Sequence, residues 1–161
     1  MTDKKKQTLS RIARCLNNAN VTWALGASAM MSLRGIVETF NDIDIMVAED
    51  DIDKAYDVIS SIGELQPFKA DDRFHTSCFY EFIVDDIDVD LISGFAIVSH
   101  GRIHQCPLRI EEIDAIADVY GSDVPLHSLA VWKRYYSLMG RPDKVSVISA
   151  WHTPLISDEE Q

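Results

Sequence analysis

Apolar and polar positions along the chain recur with two different periods, and the changes of period mark its elements. Over residues 6–18, Leu9, Ile12, Ala13 and Leu16 recur at helical spacing, which predicts an amphipathic helix stopped by Asn17-Asn18-Ala19-Asn20. Residues 21–25 form a short apolar run that ends at Gly26 and predicts a strand; residues 27–33, rich in alanine and methionine, return to the helical period. Gly35 breaks that helix, and a strand follows over 43–47. Asp50 is the expected cap of a helix over 52–62, with Gly63 as its stop. Residues 74–84 are β-branched and aromatic, Asp85-Asp86 marks a turn and 87–92 is apolar at every second position, so the pair predicts a hairpin. Further strands are expected over 102–108 and 113–120, with Gly121-Ser122-Asp123 turning into Val124-Pro125-Leu126. Ser128 caps a helix over 129–139, Gly140 stops it, and Pro142 begins a last helix through Trp151. The order predicts an α/β protein with a mixed β-sheet flanked by helices.

The strand period also says where carboxylates gather. Successive strand side chains point to opposite faces, so Asp42 and Asp44 share one surface while Ile43 and Ile45 take the other. By the same rule Asp86, Asp88 and Asp90 project together, opposite Val89 and Leu91. Carboxylates side by side raise the cost of ionising one another. A divalent cation offsets that cost, and Mg²⁺ selects oxygen ligands while keeping positions open for phosphates. Leu25-Gly26-Ala27-Ser28-Ala29 supplies a strand-to-helix turn of small residues, where backbone N–H groups and the Ser28 hydroxyl can meet a phosphate.

Bulk properties narrow the field. The 161 residues carry a net charge of −11, which repels a nucleic-acid backbone and disfavours a general DNA or RNA binder. Three cysteines, Cys15, Cys78 and Cys106, without CxxC spacing speak against a disulfide framework and predict a reducing, cytoplasmic setting. The most apolar window, residues 21–33, is too short to span a bilayer. Without repeat, low-complexity stretch or linker, a single domain is expected, with a core over about 6–152, C-terminal helices over 128–151 and loose ends at 1–5 and 157–161. His100 and His104 are four apart, but Gly101 and the strand-like Ile103 make a helical metal pair a poor reading. Trp132, Tyr135 and Tyr136 read as helix-to-sheet packing.

Taken in order, the Gly-small-Ser turn, the helix, Asp42-Ile43-Asp44-Ile45 on the next strand and a further hydrophobic-Asp-hydrophobic strand resemble the DNA polymerase β-like nucleotidyltransferase superfamily, especially its small bacterial members. The resemblance covers about residues 22–92. It implies a metal-dependent enzyme that transfers a nucleoside monophosphate from ATP or another NTP to a hydroxyl of a small molecule or protein. Asp42, Asp44 and Asp90 would be the catalytic and Mg²⁺-binding carboxylates, Asp88 competing with Asp90, and Gly26 and Ser28 would contact the triphosphate. The rear half, with its segment from Val124 to Leu129 and its Gly140-Arg141-Pro142 turn, is similar too, and implies Lys133, Arg141 and Lys144 as contacts to phosphate or substrate. Two places depart from the pattern. Ala27 stands where many members have a second glycine, and Val37-Glu38-Thr39-Phe40 where a basic residue and a threonine precede the aspartates, with Arg34 the candidate substitute. The departures leave room for a non-catalytic binding module of the same fold, and carboxylates with Mg²⁺ also serve phosphohydrolases.

Overall fold

The computed structural model describes residues 1–152; the loose end expected at 157–161 lies outside them. Helix α1 (Asp3–Asn18) leads into β1 (Trp23–Gly26), α2 (Ala27–Leu33), β2 (Asp42–Val47), α3 (Ile52–Ser60) and β3 (Glu64–Leu65). Strands β4 (Cys78–Val84), β5 (Ile87–Ser93), β6 (Ala96–Ser99), β7 (Arg102–Gln105), β8 (Ile113–Val119) and β9 (Ser122–His127) follow, and helices α4 (Leu129–Leu138) and α5 (Pro142–His152) close the described chain.

Seven strands form one sheet in the order β3-β4-β5-β2-β1-β9-β8, and β6 and β7 form a separate hairpin. The large sheet is mixed: β2 pairs with β5, and β1 with β9, in parallel, while its other neighbours run antiparallel. This is the α/β class expected from the chain's periodicity. Leu9, Ile12, Ala13 and Leu16 of α1 are fully buried, and the helix lies against β8, β9 and α3. Its end is tied down by Asn17, whose amide nitrogen donates to the Asp123 carbonyl at 2.8 Å while its oxygen accepts from the Trp23 indole at 2.9 Å. Among the described residues no helix is long and apolar enough to cross a membrane.

Three local expectations are corrected. Asp50 does not cap α3: Glu49–Asp51 form a 3-10 turn, Asp51 stands at the cap, and its carboxylate accepts the Thr22 N–H at 2.8 Å. The predicted strand over 74–84 begins only at Cys78. Gly94, at φ +61°, turns the chain out of β5, so β6 leaves the main sheet and draws residues 74–77 with it. There Phe74 bridges to Ile97, the His75 N–H donates to the Ala96 carbonyl at 2.9 Å, and the Ser77 N–H to Gly94 at 3.1 Å. Finally, β6 was not foreseen, because Ala96-Ile97-Val98-Ser99 is too short an apolar run to declare itself.

Gly26 ends β1 in extended backbone at φ −117°, and the space above it belongs to α4: a Cβ there would sit 2.6 Å from the Trp132 ring. Gly26→Ala therefore acts through overpacking alone. We expect it to lower stability by about 1–3 kcal/mol in urea denaturation.

Candidate active site

The parallel register of β2 and β5 sets Asp42 beside Asp88 and Asp44 beside Asp90. Across the sheet the row through Asp44 continues to Gly26 on β1 and, through Asp90, to Glu81 on β4. Ile43, Ile45, Val89 and Leu91, the alternate residues, are completely buried on the opposite face. Four adjoining strands thus present Gly26, Asp44, Asp90 and Glu81 side by side, with Asp42 two residues along.

This crowding has an electrostatic signature. Burial pushes the Asp90 carboxyl up to about 9, helped by the charge of Asp44 and by the hydrogen bond between the two, and further by Asp42 and Glu81. Asp44 rises to about 6, again chiefly through burial, with Asp42 adding to the effect and the hydrogen bond from Asp90 opposing it. Asp90 therefore keeps a proton at neutral pH and donates it to Asp44. Asp42 is raised by burial and by the charges of Asp88 and Glu81, with Lys5 opposing. Among the described residues no group of three histidine, cysteine or carboxylate side chains is set to hold a metal ion. The donors nevertheless suit a hard divalent cation. They are all oxygens, they carry surplus negative charge, and loss of one proton from Asp90 frees two carboxylates for a ligand.

The carboxylates open into a cleft of about 1090 Å³ lined by Asp42, Asp44, Glu81 and Asp90, by Ala27 and Ser28 at the head of α2, and by Trp132, Tyr136, Arg141 and Lys144 from α4 and α5. Lys144 Nζ donates to the Ser28 hydroxyl at 3.2 Å and lies 5.9 Å from the centre of the Tyr136 ring. The Tyr136 phenol, buried and near Asp44, is pushed up to about 12 and stays protonated. Ala27, in the position of the missing second glycine, takes φ +51°, a left-handed conformation that glycine enters without cost. The chain thus adopts the glycine geometry with an alanine. Behind the cleft, the Trp132 indole donates to His127 Nδ1 at 3.0 Å, and His127 Nε2 donates in turn to Glu112 at 3.1 Å. Burial holds the His127 pKa below its ordinary value, with Glu112 opposing. Phe95 stacks between Trp132 and Phe74, at 6.1 and 5.7 Å, and the three rings make a continuous aromatic wall.

Of the residues singled out from sequence, the structure brings Ser28, Asp42, Asp44, Asp90, Arg141 and Lys144 to one cleft and sets Gly26 in register beside Asp44. Asp88 is exposed, and neither it nor Lys133 lines the cleft. Arg34 is engaged elsewhere, at 2.6 Å from Asp114 and 2.9 Å from the His127 carbonyl. Glu81 and Arg73 line the cleft without having been singled out. Glu81 was within reach, since counting back from the two-residue Asp85-Asp86 turn places it opposite Asp90. Arg73 carried no such signal, because it sits in an irregular segment.

Neither a family model nor a curated protein sequence matches the chain. Solved structures do share its fold. A candidate nucleotidyltransferase from Thermotoga maritima superposes with a TM-score of 0.73 at 22% identity, covering 94% of each chain. The antibiotic-resistance factor ANT(2″)-Ia, solved in complex with adenylyl-2″-tobramycin, superposes at 0.64 with 10% identity, covering 92% of this chain and 90% of its own. The lincosamide antibiotic adenylyltransferase LnuA, solved with lincomycin, superposes at 0.61 with 13% identity, covering 93% of this chain and 98% of its own. The fold is that of the nucleotidyltransferases.

Three outcomes are expected of the metal-free protein. All three carboxyls titrate above the ~3.9 of an unfolded aspartate. The folded state therefore binds protons that the unfolded chain has released, and stability falls as pH rises from about 4 through about 6 and on toward about 9. Asp90→Asn should be more stable than the parent at pH 8 by at least ~2 kcal/mol, the gap closing as pH falls toward 4, in urea titrations with chelator present. Ala27→Gly should gain roughly 1 kcal/mol in the same assay, because it relieves the left-handed backbone.

Proposed function

We propose that this protein transfers a nucleoside monophosphate from ATP or another NTP to a hydroxyl of a small molecule or protein side chain. The reading is carried by one observation: the hydrogen-bonded Asp44–Asp90 pair lies in the same cleft as the Ser28–Lys144 contact at the head of α2. Acidic oxygens for a cation and hydroxyl and ammonium groups for phosphate are thereby adjacent, as phosphoryl chemistry requires. Asp42, Asp44 and Asp90 would hold Mg²⁺, which when bound supplies charge neutralisation at the α-phosphorus and at the departing pyrophosphate oxygen.

The remaining roles fall to the chain's own groups. Ser28 and Lys144 hold the triphosphate, the ammonium giving up its present hydroxyl partner for phosphate oxygens. Asp90, once deprotonated, accepts the proton of the acceptor hydroxyl as that oxygen bonds to the α-phosphorus and the bond to the β-phosphate oxygen breaks, releasing pyrophosphate. The aromatic wall of Phe74, Phe95 and Trp132 and the acid of Glu81 leave room for a ring-bearing, amine-bearing acceptor. Structures of the same fold that hold adenylyl-tobramycin or lincomycin support a small-molecule acceptor. The net charge of −11 supports it as well, since a long nucleic acid would be repelled.

With Mg²⁺, labelled ATP and a pool of amine-bearing alcohols, the expected products are pyrophosphate and an acceptor heavier by one nucleotide in mass spectrometry. Asp44→Asn should lower the rate by at least about 100-fold, and free nucleoside monophosphate as the only product would instead identify a hydrolase.

A further inference from the structure

Residues 66–77, between β3 and β4, overhang the cleft and contribute Phe68, Lys69, Arg73 and His75 to its lining. Their outer stretch is exposed, but the chain is pinned from Arg73 onward, where the Val98 N–H donates to the Arg73 carbonyl at 2.8 Å and Phe74 bridges to Ile97. The Arg73 side chain is thus anchored at its root. Its guanidinium lies 5.4 Å from the centre of the Phe74 ring and forks onto Asp71, with Nη2 at 2.7 Å and Nε at 3.0 Å.

The opposite wall repeats this arrangement. Arg141, just before α5, forks onto Asp143, with Nη2 at 3.0 Å and Nε at 3.2 Å. Both pairs join residues two apart, and both are open to solvent, with side-chain exposures of 70% and 39% for Arg73 and Asp71 and 45% and 63% for Arg141 and Asp143. Ion pairs so exposed contribute little and exchange readily. Across the cleft the two guanidiniums are near enough for the charge of Arg73 to act against that of Arg141. In a chain with 26 acidic and 15 basic side chains, this one cleft gathers Arg73, Arg141 and Lys144, each arginine balanced by its own aspartate and the lysine reaching Ser28. Guanidinium forks match phosphate oxygens in pairs as they match carboxylates, so a phosphate can take the place of either aspartate.

We propose that Arg73 and Arg141 are the two jaws of a phosphate clamp that takes the pyrophosphate portion of the nucleotide, each exchanging its neighbouring aspartate for phosphate oxygens. The assignment rests on the nucleotidyltransferase reading of the same cleft. A polyphosphate suits it better than an acidic group on the acceptor, because it has the length and charge to run from the Ser28–Lys144 contact out to the two arginines. Asp71 and Asp143 then act as placeholders, competing for the guanidiniums until phosphate arrives. Arg73 also supplies, from the overhanging segment, a cation that Arg34 does not bring to the cleft.

Calorimetric titration of the full chain with ATP and, separately, with inorganic pyrophosphate, both with Mg²⁺, tests this. Arg73→Ala should weaken binding of both roughly tenfold, Arg73→Lys should fall between it and the parent, and Asp71→Asn should tighten binding about two- to threefold as the competitor is removed. Arg14→Ala, an exposed arginine on α1, is the control and should match the parent. If the parent binds both ligands and Arg73→Ala binds them equally well, or if Asp71→Asn weakens binding, the clamp is wrong and the function proposed above stands. A parent that binds neither ligand overturns both.

Discussion

The parallel pairing of β2 with β5 is the constraint on which the rest depends. A shift of one residue in that register would turn Asp90 to the core face and bring Val89 or Leu91 up beside Asp44. The register is held from the other side of the sheet, where Ile43, Ile45, Val89 and Leu91 have no exposure at all. Apolar burial beneath thus enforces carboxylate proximity above, against the repulsion that proximity creates. The raised pKa values of Asp44 and Asp90 are the compromise.

Much of this was legible in the chain itself. Period-two alternation at Asp42-Ile43-Asp44-Ile45 and Val89-Asp90-Leu91 is strong because apolar and acidic residues are sharply opposed there, and both segments are strands with the faces that alternation assigns. Helix ends at Ser128 and Pro142 were readable because capping and ring geometry act locally: the Ser128 hydroxyl accepts the Val131 N–H at 3.3 Å, and α5 starts at Pro142. What could not be read depends on distant parts of the chain. Whether Lys133 or Lys144 turns to the cleft is decided by how α4 and α5 pack together, and nothing within either helix says so. Strand β6 and the true course of the segment before β4 escaped for a similar reason, since their partners lie outside the main sheet.

The departures from the expected motif acquire physical content. Ala27 keeps the left-handed backbone that glycine favours, so the turn survives the substitution at an energetic cost rather than a geometric one. Arg34, the expected stand-in for the absent basic residue, is held by Asp114 and the His127 carbonyl. Basic groups reach the cleft instead from α5 and from the segment over it. Solved proteins of this fold with 10 to 22% identity show how little of the sequence the architecture itself demands.

The paired arginines act on an approaching anion only at short range. Far away it meets the field of a molecule with eleven excess negative charges and is turned back. Within a screening length of the opening, about 8 Å in physiological salt, Arg73, Arg141 and Lys144 stand beside the carboxylates of the same cleft, so attraction begins only as a guanidinium lets go of its aspartate. Electrolyte shortens the outer barrier, so encounter with a small polyanion should quicken as ionic strength rises, the inverse of the steady salt-induced slowing seen where the whole protein is cationic.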